Sequence, residues 1–252
     1  MPEGALGHYA PVMGFEEYVT QPFVLPLEPV DAERDGEVDL YLPDDEGPQP
    51  AVVFVHGGPL PPELSIAPSE WPVFRGYGAL AATRGAVGVV VDHGLHSPAH
   101  YPKAADEVAA AVETARAHPR VDADRIALWF FSGGGPMLAD WLRNPPDWVR
   151  CLAASYPVAA TPPEWHVDAR FNPIEAVNAG SPPIVLTRAG KENPDIASTV
   201  EAFVEAARAK ARLEIIDVPN GQHSFDTLDH TEESRRAIEQ AFDLVLRISR
   251  FD

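Results

Sequence analysis

Short apolar runs rich in valine and isoleucine alternate along the chain with alanine-rich stretches whose apolar residues recur every three or four positions. This is the pattern of a mostly parallel sheet with helices on both faces, an α/β architecture. The continuous runs "AVVFVHG" (51–57), "AVGVVVDHG" (86–94), "RIALWFFS", "CLAASYP", "PPIVLTRAG" and "RLEIIDVPNG" predict strands covered on both sides. Two earlier, more acidic runs, "FVLPL" and "EVDLYLP", predict an antiparallel edge, with "DDEGPQP" as the turn that follows. About eight strands are therefore expected.

Ala105, Val108, Val112 and Ala115 share one stripe of a predicted helix over 104–117, and Val200, Phe203, Val204 and Ala207 repeat the device. A last helix over 231–250 turns Ile238, Phe242, Val245 and Leu246 inward, with Asp229 or Thr231 as its cap. Segments 59–75 and 157–175 are too long for simple connections and are expected to shape a site, with Trp71, Trp165 and Phe171 either lining an apolar pocket or pinning their own loops. No repeat interrupts the pattern, so residues 1–252 are expected to form a single domain, with 1–22 as an N-terminal extension.

Composition narrows the partners. The net charge of −19 argues against nucleic acid and anionic membrane, because an acidic surface repels polyanions. Cys151 is the only cysteine and sits in an apolar run, so no intramolecular disulfide forms and the thiol is expected to be buried. The first residues lack a basic, then apolar leader pattern, and no run reaches membrane-spanning length; a soluble, cytoplasmic protein is expected.

In an open α/β sheet ligands bind beyond the carboxyl ends of the strands, so the residues that end each run are the candidates for chemistry. They are His56, Gly57 and Gly58, Asp92 and His93, and Ser132 at the ends of their runs, with Lys191, Glu192 and Asn193 following the seventh run and His223 following the eighth. Acyl transfer needs a nucleophile, a base and N–H donors for the developing oxyanion. Ser132 would attack, His223 would take its proton, and the N–H of Gly133 with that of Gly57 or Gly58 would form the oxyanion hole. Pro59 has no N–H to offer.

With "VFVHGG", "FFSGGG", "RAGKENPD" and "GQHSFD" in that order from about Val38 onward, the chain resembles the α/β-hydrolase superfamily, most closely its dienelactone hydrolase-like and small serine esterase members. The resemblance implies an α/β-hydrolase fold and a Ser-His-acid triad that hydrolyses an ester, lactone or thioester of a small to medium substrate, without metal or other cofactor. Dienelactone hydrolases use cysteine, so Ser132 points toward the esterase-like members. Catalytic residues by this resemblance are Ser132, His223 and, two positions after Gly190, Glu192. Asp195 is the alternative acid, and Asn193 would orient the histidine without stabilising its charge.

The chain departs from the family's G-x-S-x-G elbow in placing Phe130 at the first glycine, while Gly134 keeps the second. Pro136 sets a helix start close to Ser132, and Met137, Leu138, Trp141 and Leu142 would form its buried stripe. His93, His96 and His100 lie in a Gly- and Pro-containing segment without a carboxylate-rich partner motif, so no metal site is expected. His56, which would also order the oxyanion loop, and His93, Trp71, Trp165 and Arg188 are candidate pocket residues, with Asp92 tying its strand end to the oxyanion loop. The partner is then a small-molecule acyl substrate. Two other functions fit the same residues: an acyltransferase with the same triad, and a noncatalytic ligand-binding protein whose elbow has decayed.

Overall fold

β-branched runs favour extended backbone, and here they form strands wherever both faces find apolar cover. The computed structural model describes residues 14–251 and, with side chains, 14–250; the first part of the expected N-terminal extension, 1–13, lies outside the described residues. The strands are β1 (Ala32–Asp35), β2 (Val38–Tyr41), β3 (Gln49–Val55), β4 (Val87–Val91), β5 (Val121–Phe131), β6 (Val149–Ser155), β7 (Ile184–Lys191) and β8 (Leu213–Gln222). They form one sheet in the order β1-β2-β4-β3-β5-β6-β7-β8. β2 runs antiparallel to both β1 and β4, and every other pairing is parallel.

The helices are α1 (Phe15–Val19), α2 (Pro72–Thr83), α3 (Tyr101–Ala117), α4 (Leu138–Arg143), α5 (Pro173–Ala176), α6 (Pro194–Arg208), α7 (Phe225–Leu228) and α8 (Glu232–Phe251). Alternation along β5 shows how they share the sheet: Ile126, Leu128 and Phe130 join the core under α3, α4 and α6, while Ala127, Trp129 and Phe131 join the core under α2 and α8. Thr231 caps α8 by accepting from the Ser234 N–H at 3.1 Å. No helix of the described residues is long and apolar enough to cross a membrane.

Three expectations are corrected: "RLEIIDVPNG" does form β8, but at an open edge of the sheet with only Ile216, Val218 and Gly221 buried, so it is not covered on both sides. "FVLPL" is not a strand: Phe23, Val24 and Leu25 are buried, but the Val24 N–H donates to the Asp226 carbonyl and its own carbonyl accepts from Arg235 Nε, which ties the backbone to the α7–α8 region instead of the sheet. The antiparallel edge strand is the wholly exposed, mostly charged β1, whose side chains discourage pairing with another chain. Segment 59–75 is not all loop, since α2 begins at Pro72.

Candidate active site

β5 ends at Phe131, and Ser132 turns out of it with φ +49°, in the left-handed region that a non-glycine residue enters only under constraint. A tight 3-10 turn over Ser132–Met137 then leads into α4, so Pro136 sits where the sequence placed the start of the helical segment. Met137, Leu138 and Leu142 are buried and Trp141 is half-buried. Phe130 opens no gap beside the turn. It lies between Val55 and Ala154 on the neighbouring strands and is fully buried in the core, on the sheet face opposite Phe131.

The loops after β7 and β8 bring the other two groups to the serine. Ser132 Oγ lies 2.7 Å from His223 Nε2, and His223 Nδ1 lies 2.7 Å from Glu192 Oε2. The Glu192 side chain is only 4% exposed, and its second oxygen accepts from the Asn193 N–H at 2.7 Å. Both carboxylate oxygens are thus engaged, and the imidazole is held with Nδ1 protonated and Nε2 free to take a proton from the hydroxyl. Asp195 is not part of this line. It is exposed in the first turn of α6, where its N–H is held by the Asn193 side chain.

On the other side of the serine the β3 loop packs very closely. A Cβ at Gly57 would lie 2.9 Å from Ser132 Cβ, and one at Gly133 would overlap the Gly58 carbonyl oxygen. His56 Nδ1 donates to the Gly57 carbonyl at 2.6 Å, which fixes the peptide whose opposite edge carries the Gly58 N–H. His56 Nε2 accepts from the His93 N–H at 3.3 Å, and His93 Nε2 donates to the His56 carbonyl at 3.1 Å. The two rings stack at 3.5 Å and 8°. Burial pushes His56 down to about 4 and holds His93 well below the ordinary histidine range, so both are neutral at pH 7.

Ser132, His223 and Glu192 open into a cavity of about 370 Å³ that Gly57 and Gly58 also border. Trp71, Phe74, Phe131, Tyr156 and Trp165 line it, with Lys191 and Gln222 adding polar surface. Trp71 spends its N–H on the Ile66 carbonyl at 3.1 Å, so it offers the cavity an apolar face.

No family model matches the chain, and no curated protein matches it by sequence. Solved structures do. The crystal structure of DphMB1 covers 92% of this chain and 90% of its own at TM-score 0.71 and 21% identity. EstE1, a thermophilic carboxylesterase cloned from a metagenomic library, covers 93% and 92% at 0.70 and 19%. Native Est2, an esterase of the planctomycete Thermogutta terrifontis, covers 92% and 94% at 0.67 and 19%. The chain has the α/β-hydrolase fold.

Within this α/β-hydrolase fold, three expected pocket residues and one expected tie are corrected. His56 and His93 do not line the cavity; they are buried behind the Gly57–Gly58 loop, where their hydrogen bonds order backbone. Arg188 also stays outside, bridging Glu201 at 2.6 Å and Asp217 at 2.7 Å. Asp92 binds Ser69 and Arg34 instead of the oxyanion loop. Phe171 packs on Tyr101 and holds its own loop, whereas Trp165 reaches the cavity. Cys151 is buried, and burial raises its thiol far from reactivity. Among the described residues, no group of three or more His, Cys, Asp or Glu is arranged to hold a metal ion.

Sequence reasoning missed Tyr101, whose hydroxyl donates to the Gly133 carbonyl at 2.8 Å, and the group formed by Tyr77, Tyr156 and Asp226 beneath His223. The available signals were Tyr156 just past the β6 run and an acid three positions after the histidine.

Proposed function

We propose that the chain is a serine hydrolase that cleaves carboxylic esters of small to medium, largely apolar substrates. What carries this reading is the unbroken line Ser132–His223–Glu192, two contacts of 2.7 Å opening onto an aromatic-walled cavity. Ser132 Oγ attacks the ester carbonyl carbon while His223 Nε2 takes its proton, and Glu192 stabilises the resulting imidazolium. The N–H groups of Gly133 and of Gly58 or Gly57 hold the oxyanion. His223 gives the proton to the departing alcohol, leaving an acyl-serine, and water deprotonated by the same imidazole releases the acid.

A serine in place of cysteine sets the chain with the small serine esterases and apart from dienelactone hydrolases in the narrow sense. The neighbouring folds include esterases, and Thermogutta terrifontis esterase 2 has been seen phosphorylated by paraoxon. A cavity near 370 Å³ suits a short acyl or aryl group better than a long lipid chain. The test is hydrolysis of a p-nitrophenyl ester series of increasing acyl length, with and without a competing alcohol. Turnover that peaks at short chains, yields free acid in the presence of the alcohol and vanishes in Ser132→Ala is expected. Ester product formed at the expense of acid would make the protein an acyltransferase, and binding without turnover would make it a ligand-binding protein.

A further inference from the structure

A second carboxylate lies below the histidine. Asp226 is fully buried, and its carboxylate meets hydroxyl groups there. It accepts from the Tyr77 hydroxyl of α2 at 2.9 Å and from the Tyr156 hydroxyl beyond β6, 2.7 Å from each carboxylate oxygen. Tyr156 in turn stands edge-on to the His223 ring at a centroid distance of 4.8 Å and forms part of the cavity wall. The backbone there is costly to build. Tyr156 has φ +38° and Ser224 φ +61°, so with Ser132 three non-glycine residues in the left-handed region meet around one imidazole. Each such residue is strained and persists only where its surroundings dictate it. Ser224 is held by the Tyr18 hydroxyl of α1 at 2.9 Å, and Tyr156 by the Asp226 carboxylate and by its N–H to the Thr187 carbonyl.

We propose that Asp226 is a positioning residue for the histidine: it fixes the Tyr156 ring against His223 and sets a buried negative charge beside the imidazolium that forms when Ser132 loses its proton. The inference rests on the serine hydrolase reading above. The proton passes from Ser132 Oγ to His223 Nε2, and Asp226 takes no part in covalent steps. Burial raises Asp226 to about 6, so it is ionised at pH 7 and above, where the imidazolium needs a counter-charge. The groups facing Asp226 are Tyr77, Tyr156 and His223, with Tyr18 beyond Ser224; those facing His223 are Ser132, Glu192 and Tyr156, with Lys191 on the cavity surface.

The experiment is the rate of Ser132 labelling by a fluorophosphonate between pH 5 and 9, in the full chain and in Asp226→Asn, Tyr156→Phe and Tyr77→Phe. Loss of the negative charge makes the imidazole easier to deprotonate, so Asp226→Asn is expected to move the pH of half-maximal rate down by about one unit. Tyr156→Phe is expected to slow labelling at pH 8 by about tenfold, and Tyr77→Phe, which breaks a bond to the same carboxylate without touching His223, by less than about threefold. An unmoved midpoint in folded Asp226→Asn, or equal rates in the two tyrosine variants, overturns the proposal. Should Asp226→Asn fail to fold, the tyrosine pair decides alone. Failure of the wild-type chain to label overturns the hydrolase reading itself, and this inference with it.

Discussion

Replacing Glu192 by glutamine separates charge from shape at the inner end of the histidine line. The carboxylate meets two donors, His223 Nδ1 and the Asn193 N–H, each at 2.7 Å, with two acceptor oxygens. An amide has only one oxygen to offer. If that oxygen stays with His223, the NH2 group confronts the Asn193 N–H in a place where the side chain is 4% exposed, and a buried unmet donor costs about 1–3 kcal/mol. If it turns to Asn193, the NH2 faces His223, and the imidazole must carry its proton on Nε2, where it cannot serve as a base for Ser132. Losing the negative charge weakens the bond to the imidazolium by a further ~1–2 kcal/mol. Together these amount to about 2–5 kcal/mol in the transition state, or roughly 30-fold to 5,000-fold in kcat. The assay is initial-rate hydrolysis of p-nitrophenyl acetate, with melting temperature as the control for folding and Asp195→Asn as the control for position. Asp195→Asn is expected to stay within about twofold of wild type. A Glu192→Gln protein within about tenfold of wild type, or an Asp195→Asn protein equally impaired, would refute the assignment of Glu192 as the acid.

Other outcomes follow from the packing and titration. Phe130→Ala empties a fully buried site between Val55 and Ala154 and is expected to cost about 3–5 kcal/mol in urea unfolding; a gain in stability would mean that the ring strains the turn. Gly133→Ala would overlap the Gly58 carbonyl oxygen and is expected to lower kcat at least ~100-fold with the circular dichroism spectrum retained, whereas full activity would contradict the close approach of the two loops. Arg188→Ala should leave kcat/KM within about twofold, since its partners are Glu201 and Asp217, and a selective loss on anionic esters would return it to the pocket. Below pH 6.5 an unfolded histidine binds a proton that buried His56, held near 4, does not, so its contribution of about 3 kcal/mol is full above 6.5 and is lost as pH falls toward 4. His93 acts in the same direction, while Asp226, raised to about 6, acts in the opposite one. With two groups against one, stability in urea is expected to be lower at pH 4.5 than at pH 7, and the drop to be larger in Asp226→Asn; no drop in wild type would contradict the neutral histidine pair.

What could be seen from the sequence was local. The apolar runs mark β3 to β7 because a parallel strand buried on both faces needs no partner pattern to be recognised, while β2 and the edge strand β8 show only partial alternation in "EVDLYLP" and "RLEIIDVPNG". Ser132, Glu192 and His223 were legible because each directly follows a strand, and the sheet alone brings strand ends together. "FVLPL" misled because burial under helices and burial in a sheet give the same apolar run, whereas exposed "AERD" has no apolar signal at all. The start of α2 was hidden by Gly76 and Gly78, which would disfavour a helix except that a Cβ at either would overlap the ring of Phe23 or Tyr41. Contacts across long separations left no trace. Asp226 meets Tyr77 across 149 positions and Tyr156 across 70, and neither spacing carries a periodicity. His56 and His93 resembled site residues because they too end strands; only their stacked rings reveal that they serve the backbone.

The central claim is that His223 activates Ser132. Incubating the folded protein with a fluorophosphonate at pH 8, followed by intact mass and mapping of the labelled peptide, addresses it most directly. One adduct per chain on Ser132, absent in Ser132→Ala and slowed at least ~100-fold in His223→Ala, is the expected result. No adduct on folded wild-type protein, or one that forms as fast without His223, would contradict it.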